Sequence, residues 1–171
     1  MHSRIFGVSQ PSKKLEVFRH SEDQVYEAMQ GYADYVVEED ANEFFDSWQW
    51  LAKAYGNVLD VRREANEDER HYYIVVNREK LQDFFEEDFY QFKELVEDLS
   101  FKEYVNFWSG DMYNIEQKIR YTTGFWVLDS NNNYADLTTF KDWLKLVYAQ
   151  MEKENLDEVE FEIIKTFDYH N

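Results

Sequence analysis

Apolar residues along this chain recur mostly at helical spacing and alternate cleanly only near the C-terminal end. From Ser21, the positions Val25, Met29, Tyr32 and Val36 share one face at about 100° per residue, which predicts a helix reaching Glu38. Ser21 is its expected N-cap, with Glu22 and Asp23 favourably placed in the first turn. The opposite face of that helix would carry Asp23, Glu27, Asp34 and Glu38 as a carboxylate stripe. A capping-box pattern, Asp40-Ala41-Asn42-Glu43, opens a second helix with Phe44, Trp48, Leu51 and Tyr55 inward and Gly56 as its stop. Two β-rich runs, 58–63 and 72–76, flank an acidic loop at 64–69 and predict a hairpin.

The clearest amphipathic segment follows Asn77, an expected cap. Leu81, Phe84, Phe85, Phe89, Phe92, Leu95, Val96 and Leu99 form one face, and Asp83, Glu86, Glu87, Glu94, Glu97 and Asp98 form the other. Asp88 falls on the apolar side, where a carboxylate marks a kink, a buried hydrogen-bonded group or a functional acid. Ser100-Phe101-Lys102-Glu103 is a second capping box, and the helix it opens keeps its apolar phase through Tyr104, Val105, Trp108, Met112, Ile115 and Ile119. Gly110 is its weak point. Residues 124–128 read as a strand, and Asp136 is the expected cap of a helix with Phe140, Leu144, Val147 and Met151 inward. The last element alternates Val159, Phe161 and Ile163 against Glu158, Glu160 and Glu162, a half-buried strand with a carboxylate row toward water. Hairpin signals mixed with clustered helices predict an α+β fold, about five helices on a small, mostly antiparallel sheet, in a single domain over residues 1–171.

Charge changes what this fold is expected to present. The 171 residues carry 36 acids against 18 bases, a net charge of −18. Residues 1–20 are basic, with Lys13, Lys14 and Arg19 able to meet an acidic face or a second copy. Residues 21–50 hold nine acids and no base, and residues 81–100 hold seven acids against Lys93 alone. Such blocks fall on segments with apolar periodicity, so the charge belongs to folded faces and not to a disordered tail. The aromatic content of 19% agrees with that. Glycine and proline are scarce, and no linker, repeat or low-complexity run interrupts the chain. The first residues lack the apolar stretch of a secretory signal and no run is long enough to span a bilayer, so a cytoplasmic location is expected.

No catalytic signature emerges, and a non-enzymatic role without cofactor is expected. With no cysteine, thiol chemistry and cysteine-based zinc sites are excluded. His2, His20, His71 and His170 stand far apart without metal-ligand spacing. Asp129, Asn131, Asn133 and Asp136 resemble the opening of a calcium loop. However, Tyr134 stands where glycine is needed and Phe140 where a bidentate Glu belongs, so a turn of Asx residues is the better reading. Five isolated glycines form no phosphate loop. Among the aromatic residues Trp50 is out of core phase, as an interface anchor would be.

A folded surface of this charge repels nucleic acid and anionic lipid and attracts basic proteins. In composition the chain resembles the DNA-mimic inhibitors of phages and mobile elements, which act against restriction or CRISPR nucleases; the likeness carries no motif and transfers no residue role. It implies an acidic inhibitor occupying the basic groove of a nuclease or other DNA-binding protein. The expected contact residues are Asp23, Glu27, Asp34 and Glu38, the stripe Asp83, Glu87, Glu94 and Asp98, and Trp50. Alternatives are an immunity protein against one basic toxin and an enzyme whose carboxylates hold a divalent metal. A homodimer is compatible with the Trp and Phe content, although no heptad seam supports one.

Overall fold

The computed structural model describes residues 2–11, 21–31, 33–65, 70–106, 110–120, 124–129 and 137–170. The fold is α+β, with six helices and a seven-stranded, mixed but mostly antiparallel sheet among these residues. The strands are β1 (His2–Ser9), β2 (Tyr35–Glu38), β3 (Leu59–Ala65), β4 (Arg70–Asn77), β5 (Phe125–Asp129), β6 (Thr138–Thr139) and β7 (Glu158–His170). The helices are α1 (Glu22–Ala28), α2 (Ala41–Tyr55), α3 (Arg78–Glu97), α4 (Phe101–Val105), α5 (Gly110–Arg120) and α6 (Phe140–Glu154). The sheet order is β3-β4-β7-β1-β5-β6, with β2 also paired to β7. Only β1 and β5 run parallel.

The long strand β7 organises the sheet. Its first half pairs with β4, its second half pairs with β2, and β1 lies along its other edge. A register shift between Gly7 and Val8 of β1 falls opposite residues 163–165, so β7 changes the face that its odd-numbered residues present. Phe161 and Ile163 therefore enter the cluster under α2 and α6, whereas Phe167 and Tyr169 enter a second cluster with Val25 of α1 and Met29, the residue that follows it. β1 is covered on both sides: Phe6 and Val8 join the first cluster and Ile5 joins the second. A strand buried on both faces shows no polar alternation, and β1 escapes the periodicity reading for that reason.

Four sequence expectations are corrected. The predicted helix from Ser21 ends at Ala28; Gly31 adopts φ +90°, and Tyr35–Glu38 continue as a strand on β7. Val25, Met29 and Val36 do share one apolar cluster, so the spacing found true core positions through the wrong geometry. The helix opened by Ser100 stops at Asn106, whose φ −87° and ψ 85° leave helical geometry, and α5 is a separate element. The cap of α6 is Thr139, whose hydroxyl accepts from the Asp142 N–H at 3.2 Å. Finally, the Glu160 and Glu162 row is not free: Glu160 accepts from Arg62 Nε at 2.9 Å, and Glu162 lies 2.6 Å from His71 Nδ1. Asp136, Tyr32, Trp108, His20, the Lys13, Lys14 and Arg19 group, and the Asn131–Asn133 run lie outside the described residues.

A polar network ties β1, β7 and α2 together. Arg4 Nε donates to Ser47 Oγ at 2.7 Å and lies 2.6 Å from Glu39 Oε1; Ser47 Oγ donates to Glu39 Oε2 at 2.6 Å. The guanidinium also pairs with Asp168 and lies 4.8 Å from the centre of the Trp50 ring. The Glu39 side chain is 2% exposed, and burial pushes its pKa above 4.5 against the opposing pull of Ser47, Thr166 and Arg4. A native carboxyl with a raised pKa keeps a proton that the unfolded chain has released, so this group's contribution to stability falls as pH rises from about 4.5 through the native value. Glu39→Gln removes that slope. Denaturant unfolding between about pH 4 and pH 7 should show the variant gaining on the parent as pH rises; a difference moving the other way would place the native pKa below 4.5.

Candidate acidic interface

α3 carries a row of exposed acids, and its position follows from how it is anchored. Asn77 caps it, its side-chain oxygen accepting from the N–H groups of Glu79 and Lys80 at 3.0 and 3.2 Å. The first turns are seated: Leu81 is buried, and Phe84 and Phe85 pack against the main core. Asp88, on the apolar side of the helix, meets Lys141 Nζ of α6 at 2.6 Å, with only 9% of the lysine side chain and 21% of the aspartate exposed. The exception in the sequence pattern is thus a largely buried ion pair joining α3 to α6. Beyond it, Phe89 and Val96 are exposed, and α3 packs against α5, which also contacts α4.

The polar side of this helix holds Asp83, Glu87, Glu94 and Asp98 within about 60° of one another, along about 22 Å of axis. All four are exposed. No described Lys or Arg forms an ion pair with any of them, whereas the neighbouring Glu97 is paired with Lys93 at 3.4 Å. Two contiguous shallow grooves follow the stripe. One, of about 500 Å³, is lined by Asp83, Glu86, Glu87, Tyr90, Gln91 and Glu94; the other, of about 410 Å³, by Gln91, Glu94, Leu95, Asp98 and Asp111.

Asp111 and Glu103 belong to this surface although sequence reasoning missed them. Their helices meet here: a hydrogen bond shared with Glu103, and the negative charge of Glu103 and Asp98, push the Asp111 carboxyl up. The Ser100 hydroxyl and backbone N–H hold Glu103 down. Each carboxyl stands three or eleven residues past Ser100, and the packing of α5 against α3 and α4 brings them together, so no local spacing signals the pair.

The first predicted stripe is not brought together in this way. Asp23 and Glu27 stand exposed on α1. Asp34 lies in the bend before β2, where its N–H donates to the His170 carbonyl at 2.6 Å and its carboxylate is 3.4 Å from His170 Nδ1. Glu38 is in β2 and accepts from Lys165 Nζ at 2.8 Å. The strand geometry of 35–38 breaks the shared helical face on which that stripe depended. Trp50 is 49% exposed, as its phase suggested, under the Arg4 guanidinium.

The remaining candidates have ordinary structural settings. Asp129, first residue of the calcium-like run, accepts from Trp143 Nε1 at 3.0 Å. The sheet register sets His2 opposite His170, a proximity hidden by their separation in sequence. Among the described residues no group of three or more His, Asp or Glu is arranged to hold a metal ion, and no helix is long and apolar enough to cross a membrane. Comparison of the chain with protein-family models, with curated proteins and with solved structures finds no match.

Asp88→Ala would remove the carboxylate that faces the largely buried Lys141 ammonium at 2.6 Å. It should lower unfolding free energy by about 2–4 kcal/mol, and a companion Lys141→Met should recover part of that loss in the double variant. Denaturant titration of Asp88→Ala, Lys141→Met and the double variant measures it; additive losses would mean that the two groups do not depend on each other.

Proposed function

We propose that this chain is an acidic binding protein that occupies the basic nucleic-acid groove of a nuclease or another DNA-binding protein. The observation that supports this best is the stripe Asp83, Glu87, Glu94 and Asp98, without an ion pair among the described residues, on a capped and anchored helix. Along α3 the intervals between these residues correspond to about 6, 10 and 6 Å of helix axis, a row of negative charge on a rigid support that is two to three times sparser than the roughly 3.4 Å phosphate rise of one nucleic-acid strand. Carboxylates held by a fold lose less ordering entropy on binding than those of a flexible tail. A net charge of −18 speeds encounter with a cationic groove and repels free nucleic acid, so the partner is protein. On this reading the protein acts in the cytoplasm, uses no cofactor and catalyses nothing; inhibition follows from occupying the groove.

A second reading, an immunity-type protein against one basic toxin, draws support from exposed aromatic side chains beside the acids, such as Tyr90 and Phe101. Aromatic anchors select a particular surface shape, whereas charge alone accepts many cationic grooves.

Competition against labelled duplex DNA on a panel of purified nucleases and repressors tests the first reading. The parent should displace DNA from several of them, with potency falling steeply as salt rises. The combined variant D83N/E87Q/E94Q/D98N should keep its circular-dichroism spectrum and lose at least about tenfold in potency. The pair D23N/E27Q should lose less. Failure to displace DNA from any panel member, or unchanged potency in the α3 variant, would overturn the reading. Potent, salt-resistant inhibition of one member alone would favour the immunity type.

A further inference from the structure

The arm formed by the outer half of α3 with α4 and α5 also carries an apolar surface that the carboxylate stripe does not explain. Thirteen large hydrophobic side chains are exposed among the described residues, and seven of them fall within residues 89–113. Phe101 is the extreme case at 82% exposure, with Val105 at 64% and Tyr104 at 63% beside it on α4. None of the residues of α4 is buried. This helix is held by its capping box, in which Ser100 N donates to Glu103 at 2.9 Å and Glu103 N donates to Ser100 Oγ at 3.3 Å. It is therefore ordered by its caps and leaves its apolar side chains unspent. Phe89 of α3 and Tyr113 of α5, each 59% exposed, extend the same arm. The hydrogen bond between Glu103 and Asp111 joins α4 to the acidic groove that Glu94 and Asp98 line.

Charge decides what can cover such a surface. Residues 81–115 contain nine acids against Lys93 and Lys102, and Lys93 is already engaged by Glu97. A second copy of the chain docked arm to arm would bring two such acidic surfaces together and repel. Anionic lipid and nucleic acid are disfavoured on the same ground. Charge complementarity leaves a cationic protein surface, and the exposed aromatics require that surface to carry an apolar patch of its own.

We infer that the α3–α5 arm docks a cationic protein surface bearing an apolar patch, with Phe101, Tyr104 and Val105 as apolar anchors and the α3 carboxylates around them. This rests on the reading of the chain as an acidic binding protein, and adds to it an apolar component of binding that salt does not screen.

Two helical peptides of equal lysine content, one with a leucine stripe and one with alanine in its place, separate the two components. Fluorescence anisotropy at about 50 and about 500 mM NaCl should show the leucine peptide binding at least about tenfold more tightly, and keeping that advantage at high salt. F101A/Y104A/V105A, and independently F89A/Y113A, should each reduce the advantage while leaving thermal unfolding unchanged, because every substituted side chain is exposed. Equal affinity of the parent for both peptides would overturn the inference, as would an advantage that survives in both variants. Failure of the underlying acidic reading has a different signature: binding of the alanine peptide would be unchanged in D83N/E87Q/E94Q/D98N.

Discussion

The structure depends on holding like charges close together on one helix without letting that helix drift. Coulomb repulsion between exposed carboxylates one or two turns apart is modest in water, but it accumulates along α3 because no described base pairs with Asp83, Glu87, Glu94 or Asp98. The opposing grip lies on the other side of the helix. Leu81, Phe84 and Phe85 seat its first turns in the core, and the Asp88–Lys141 pair fixes the next turn to α6. The acids then ride on a support whose position is set by packing that they do not share.

The sheet supplies the platform for that grip. β7 runs through its middle, changes face at the irregularity opposite Gly7 and Val8, and so divides the apolar residues into two clusters on opposite sides. α2, α3 and α6 share the larger cluster, while α1 closes the smaller. Arg4, Glu39, Ser47 and Asp168 stitch the N-terminal strand to the last strand and to α2. Acids on β2 and β7 are largely used by this fold: Glu38, Glu160 and Glu162 each have a basic or imidazole partner. Acidity on the sheet is largely structural, whereas exposed acids without an ion pair among the described residues line α3 and stand on α1.

Legibility in the sequence followed the range of the interaction involved. Local devices were readable: the caps at Ser21, Asp40, Asn77 and Ser100 all form, the hairpin of β3 and β4 forms, and the inward positions of α6 are buried. Long-range pairing was not. Val36 reads as helix by phase, yet strand β7, more than 130 residues away, claims it, and no window of sequence contains that partner. β1 was hidden because burial on both faces erases alternation. The α3 stripe was legible because a single helix carries it, whereas Asp111 and Glu103 join it through the packing of α5 against α3 and α4. Asp88 was visible as an anomaly, but the choice between kink, ion pair and functional acid needed Lys141, which lies on α6.

If the α3 carboxylates are kept for binding, they should do nothing for the fold, and their mutual repulsion should weigh slightly against it. The most direct check is the unfolding free energy of D83N/E87Q/E94Q/D98N beside its parent, at about 20 mM and about 500 mM NaCl. The account predicts a variant at least as stable as the parent at low salt, with the difference shrinking as salt screens the repulsion. A variant clearly less stable than its parent at both salt concentrations would mean that these acids serve the structure, and would contradict it.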